Sequence, residues 1–101
     1  MAKGYVIARV EVTDPQAYAA YARVSAEAAR LHGGKVLAKA GAYVELEGEA
    51  RPRNVVLEFP SLAQAVAYYS SVEYQAARAK RAGAAIVDIV AVEGVDEELG
   101  A

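Results

Sequence analysis

Apolar and polar positions alternate along residues 5–12, with Val6, Ala8, Val10 and Val12 on one side and Tyr5, Ile7, Arg9 and Glu11 on the other. A period of two is that of a β-strand, and here one face is wholly apolar and the other mixed. The period then lengthens. Asp14-Pro15 offers a capping side chain followed by proline at the first helical position, where its missing N–H costs nothing. An alanine-rich helix is expected to about Leu31. Arg23, Glu27 and Arg30 share a wet face at i, i+4, i+7, and Tyr18, Tyr21, Ala22, Ala28 and Ala29 lie largely away from it, toward a sheet. Gly33-Gly34 ends the helix. Residues 35–40 read as a second strand, Gly41-Ala42 as a bulge or turn, and residues 43–47 as the strand resumed, with Val44 and Leu46 alternating against Tyr43, Glu45 and Glu47. Residues 48–52 form a turn.

Residues 54–59, NVVLEF, are β-branched and aromatic and stop at Pro60, as a strand does. Ser61 and Gln64 have the capping-box spacing, in which the hydroxyl accepts from a free helix N–H and the amide reaches back. Leu62, Ala65, Val66 and Tyr69 then mark one helical face. The pattern breaks at Ser70-Ser71. Ser70 and Glu73 repeat the capping box, so a second helix is expected from near Val72 to about Ala82. Gly83 ends it in the left-handed conformation, and Arg78, Lys80 and Arg81 crowd the last turn, where cations suit the helix dipole. Residues 84–93 make the last strand, and the acidic GVDEELGA tail is expected to fray or lie on a partner.

The order strand, helix, strand, strand, broken helix, strand is the split βαβ, ferredoxin-like arrangement of an α+β domain. It predicts a four-stranded antiparallel sheet in the order 4-1-3-2 with the helices on one face. Residues 1–95 form the single domain and 96–101 the tail. The other sheet face is left open and is too apolar for water, which predicts a twofold homodimer packed sheet on sheet.

Composition narrows the function classes. A net charge of −2 disfavours nucleic-acid and anionic-membrane partners. No cysteine means no disulfide, thiolate nucleophile or cysteine metal site. The chain enters a strand at once without a signal-peptide core, and no apolar run approaches the ~18 residues of a membrane span, so a cytoplasmic location is the default. No cofactor is expected.

The set formed by GYVIARVEVTDPQAYAAY, the Gly33-Gly34 turn, ELEGEARPRNVVLEFPSLAQAVAYYSSVEYQAARAKR and GAAIVDIVAVEG resembles the domain-of-unknown-function 1330 family over residues 3–95. The resemblance implies a dimeric α/β barrel, two ferredoxin-like subunits with their sheets facing. The wider superfamily includes cofactor-free monooxygenases, muconolactone isomerases, haem-handling enzymes and small-molecule sensors. One departure falls at residues 38–41, where relatives often carry an arginine followed by two glycines and this chain has Lys39.

Few residues could carry chemistry. His32, the only histidine, is a candidate base, set against a plain helix-end role. With one histidine and no cysteine, no metal site is expected. Arg9, Glu58 and Asp88 are charges in otherwise apolar strands and could converge on a ligand; the structural alternative is an Arg9–Asp88 cross-strand pair with Glu58 at an edge. Glu58 and Asp88 join His32 as candidate bases. Arg53, Tyr69, Tyr74 and Arg78 are expected to border a gap between the sheet and the broken helix, where two cations and aromatic walls suit a small carboxylate or enolate. Arg9 completes the candidate ligand set. Phosphate-loop, dinucleotide and zinc-protease motifs are absent, and Ser70-Ser71 has no base at suitable spacing. Three readings stay open: a cofactor-independent enzyme acting on a small oxygenated metabolite, a non-catalytic binding or sensing module, and a purely structural dimer.

Overall fold

The computed structural model describes residues 2–96. The elements run β1 (Gly4–Val12), α1 (Pro15–Leu31), β2 (Lys35–Lys39), β3 (Arg53–Phe59), α2 (Leu62–Ser70), α3 (Val72–Lys80) and β4 (Ala85–Glu93). All strand pairs are antiparallel and the sheet order is β2-β3-β1-β4. This is the ferredoxin-like α+β fold. The sheet is open and does not close into a barrel within the chain. Residues 97–101, most of the expected tail, lie outside the described residues.

Helix starts follow the local chemistry. Asp14 caps α1 by accepting from the Ala17 N–H at 3.3 Å. Ser61 caps α2 by accepting from the Gln64 N–H at 3.1 Å. The reciprocal half of that box is not made: the Gln64 amide donates to the His32 carbonyl at 3.2 Å and ties α2 to the end of α1. The break between α2 and α3 is capped by Ser71, one residue after the serine that the spacing singled out. Its Oγ accepts from the Tyr74 N–H at 3.0 Å and donates to the Tyr68 carbonyl at 2.7 Å. One hydroxyl therefore closes one helix and opens the next, which Ser70, still inside α2, cannot do.

Register assigns the two sheet faces. Val6 lies opposite Leu57 and Ala91, Ala8 opposite Val55 and Ile89, and Val10 opposite Arg53 and Val87. This face lies under the helices, where Val6, Leu57 and Phe59 pack with Ala28, Ala29, Ala65, Tyr68 and Tyr74 as the buried core. The opposite face carries Ile7 between Val56 and Val90, and Tyr5 between Glu58 and Val92. Val90 and Val92 are about half exposed, at 55% and 45%.

Residues 43–47 are not a strand. β2 ends at Lys39, Ala40 takes a left-handed φ of 54°, and the chain leaves the sheet before returning at Arg53. Along this excursion the Glu45 carboxylate accepts from the Ala50 N–H at 2.7 Å. Tyr43, Val44 and Leu46 stay exposed. The alternation is present, but no described strand pairs with it, and pairing is what makes a strand.

Candidate functional site

A cavity of about 60 Å³ lies between α1 and the helix-side face of the sheet. That is room for a few waters or the head of a small molecule. Its floor is apolar, with Val6, Ala8, Val55, Leu57 and Ile89, and its polar wall is Tyr18, Tyr21, Ser25, Lys39, Arg53 and Tyr68. The exposed members of the lining, Ala26 on α1 with Val36 and Lys39 on β2, mark the mouth.

Arg53 opens β3 on the helix side of the sheet, opposite Val10. Its guanidinium lies 5.1 Å over the Tyr18 ring centroid, a cation–π distance. Its Nε is buried without a hydrogen-bond partner among the described residues, and no acidic side chain lines the cavity. Arg53 as a whole is half-buried, but a guanidinium N–H taken out of water is ordinarily paired, because its desolvation is costly unless an acceptor replaces water. Lys39 lies opposite Val55 in the β2–β3 register, so it is a diagonal neighbour of Arg53 on the same face. Two cations without a counter-charge among the cavity's lining give it a positive potential.

A cluster of phenols stands behind this wall. The Tyr21 and Tyr74 hydroxyls are 2.9 Å apart, and Arg81 Nη2 donates to the Tyr74 hydroxyl at 3.4 Å. The Arg81 guanidinium also lies 5.1 Å over the Tyr21 ring. Tyr68 and Tyr74 have ring centroids 5.0 Å apart, and Phe59 stacks on Tyr68 at 5.0 Å. Burial is the first cause that pushes the phenols of Tyr68 and Tyr74 far above the usual tyrosine range, with neighbouring tyrosines adding to it. Both are neutral at physiological pH. An unfolded tyrosine ionises near pH ~10, so the folded state holds these protons where the unfolded state releases them. Their contribution to stability is complete below that pH and is lost as pH rises toward the folded values. In an alkaline titration, tyrosinate absorbance from Tyr68 and Tyr74 should appear only together with loss of the helical circular-dichroism signal. Full ionisation of all seven tyrosines in a still-folded chain would contradict this packing.

The structure does not bring Arg53, Tyr69, Tyr74 and Arg78 around one gap. Arg53 lines the cavity under α1, Tyr74 is wholly buried behind Tyr21, and Arg78 is exposed on α3. Tyr69 faces a separate, more open pocket of about 290 Å³ on the β4 side with Val66 and Val90. Arg81, not Arg78, is the cation beside Tyr74, because α3 ends at Lys80 and Arg81 is its C-cap.

The other candidates lie elsewhere. Arg9, Glu58 and Asp88 share the open face. Arg9 and Asp88 are register partners, yet Asp88 is held by Arg51, at 2.9 Å from Nε and 2.8 Å from Nη2, and Arg9 donates to the Glu49 carbonyl. Glu58 accepts from the Tyr5 hydroxyl at 3.1 Å and from Lys3 at 3.4 Å. His32 is the C-cap of α1, and its Nε2 is 3.0 Å from a Glu73 carboxylate oxygen. That contact, foremost, holds the Glu73 carboxyl below the usual range. None of the three candidate bases lines the cavity. Among the described residues no group of three or more His, Cys, Asp or Glu is placed to hold a metal. No helix there is long and apolar enough to cross a membrane.

Lys39, Tyr21 and Arg81 stand outside the ligand set that the sequence favours, although Arg81 forms a basic pair with Arg78 one turn apart that could meet an anion. Tyr21 was placed toward the sheet, and its i+3 spacing from Tyr18 on the buried side of α1 was the available signal.

Four antiparallel strands with a helical layer on one face, enclosing a tyrosine-walled cavity, define a small ferredoxin-like α+β protein. The chain belongs to the family described as Domain of unknown function (DUF1330), whose model matches residues 3–95. No curated protein matches it. Among solved structures it is similar to a protein of unknown function from Rhodopseudomonas palustris, at 23% identity and a TM-score of 0.73, over 94% of this chain and 84% of that one. A dimeric ferredoxin-like protein of unknown function from Thermobifida fusca matches at 21% identity and TM-score 0.56, over 93% and 92%. A provisional antibiotic biosynthesis monooxygenase from Caulobacter crescentus matches at 16% identity and TM-score 0.61, over 94% and 92%. At these identities the likeness is one of fold.

Proposed function

We propose that this protein is a homodimer that binds a small, partly apolar molecule with a carboxylate or enolate head in the cavity beneath α1. The observation that carries the reading is Arg53, a cation with a buried, unpartnered Nε in a cavity whose described lining holds no acid. An anion there would supply the missing acceptor and gain a charge-assisted hydrogen bond. The apolar floor would take the body of the ligand.

Binding is favoured over catalysis by the same lining. A cofactor-independent enzyme that removes a proton needs an acceptor within hydrogen-bond reach. His32, Glu58 and Asp88 face elsewhere, and Tyr68 is held neutral. A sensing or carrier role fits a wall of donors.

Support for the dimer comes from the open face, where Ile7, Val56 and Val90 form an apolar row across three strands. The exposed Tyr43, Val44 and Leu46 add apolar surface beyond that row. The Thermobifida fusca protein of the same fold is described as dimeric. An interface of the obligate kind would bury ~2,000 Å² or more in total.

The test is calorimetry and thermal shift against a panel of short aliphatic and aromatic carboxylates. Arg53→Met keeps the apolar stem and removes the donors. Wild type should bind at least one member, and the variant should bind it at least about tenfold more weakly, the scale of one charge-assisted hydrogen bond. Equal affinity in the two proteins would place the site elsewhere.

A further inference from the structure

We infer that the cavity selects carboxylates bearing a second oxygen acceptor, such as a keto or enol oxygen, and that Tyr21 is the donor that recognises it. The inference rests on the proposed anion site at Arg53 and adds a second recognition point. It follows from counting hydrogens. Tyr74 is wholly buried, so its hydroxyl hydrogen needs an acceptor inside the protein. Arg81 cannot be that acceptor, because a guanidinium only donates, and here it donates to the Tyr74 oxygen. The remaining partner is the Tyr21 hydroxyl at 2.9 Å. Tyr74 therefore donates to Tyr21. If Tyr21 donated instead, the Tyr74 hydrogen would be buried without an acceptor.

With the oxygen of Tyr21 already accepting, its own hydrogen points away from Tyr74, and Tyr21 lines the cavity. Arg81 reinforces this direction from the far end, since each donated hydrogen bond polarises the next hydroxyl in the chain. The cavity thus offers an oriented phenolic donor as well as the Arg53 cation. Tyr18 neighbours both: its ring is 5.1 Å from the Arg53 guanidinium and 5.1 Å from the Tyr21 ring. One cavity thus carries both donors, which an acid head and a carbonyl of the same ligand would engage together.

The experiment measures affinities of wild type for pentanoate, 2-oxopentanoate and 4-oxopentanoate, three acids of one chain length. At least one oxo acid should bind about tenfold more tightly than pentanoate, the scale of one buried hydrogen bond. In Tyr21→Phe, which keeps the ring, that preference should vanish, the ratio of oxo-acid to pentanoate affinity falling to about one. A merely structural Tyr21 would instead weaken all three acids alike and leave their ratio unchanged. Equal wild-type affinity for the three acids overturns the inference and leaves the Arg53 anion site standing. No binding of any of them overturns the inference, and no binding of any carboxylate of the wider panel overturns the Arg53 anion site as well.

Discussion

Gly4→Ala is expected to destabilise the protein by at least the upper end of the ~1–3 kcal/mol typical of overpacking. A Cβ at Gly4 would lie 2.3 Å from the Ser61 carbonyl oxygen, 2.5 Å from its carbon and 2.6 Å from Leu62 Cα. All three are backbone atoms, so no side chain can rotate away. The Ser61 carbonyl also accepts from the Ala65 N–H at 3.1 Å, so moving it opens the first turn of α2. β1 cannot yield either, because Gly4 is paired with Phe59 on one side and Glu93 on the other. Relief requires lifting α2 from the sheet, over Val6, Ala65 and Tyr68 of the core. Against a typical total of ~5–15 kcal/mol such a loss is large. Gly41→Ala is the control, since a Cβ there meets nothing within 4 Å. Chemical denaturation should show a lowered midpoint for Gly4→Ala and none for the control. Equal midpoints would contradict the seating of α2 on β1.

Ile7→Asp is expected to dissociate the proposed dimer. Ile7 stands in the middle strands of the open face, with Val56 and Val90 as its neighbours. In a sheet-on-sheet dimer a carboxylate there would be buried between Val56 and Val90, while Arg9, two residues along the same face, already donates to the Glu49 carbonyl; the symmetry would do this twice. An unpaired buried charge costs ~3–5 kcal/mol, so two of them should raise the dissociation constant by about ten-thousandfold or more. The isolated subunit bears no such cost on this solvent-facing side, so its helical signal should persist. Sedimentation equilibrium would report the change. A variant as dimeric as wild type would show that the face is not the interface.

The fold was legible because its signals are local. Asp14-Pro15, Ser61 and Gly83 each act within one turn of chain, and the alternation of β1 reports a face directly. Where legibility failed, a partner distant in sequence decided. Residues 43–47 alternate as a strand does, yet the edge of β2 ends before they could pair. The broken-helix serine slipped by one because Ser71, not Ser70, can reach both the Tyr68 carbonyl and the Tyr74 N–H. The site was harder still. Arg78 and Arg81 are equivalent by helical spacing, and only the end of α3 at Lys80 frees Arg81 to turn toward Tyr74. Glu58 and Asp88 looked like candidate bases because strand parity alone does not say which face the helices cover.

The most direct test of the ligand site is the Nε–H resonance of Arg53 in a heteronuclear NMR titration with pentanoate and its oxo acids. A carboxylate accepting from that N–H should move the Arg53 signal saturably, with Arg9 and Arg78 unmoved. Saturable shifts at Arg9 or Arg78 with Arg53 unchanged would contradict a site beneath α1.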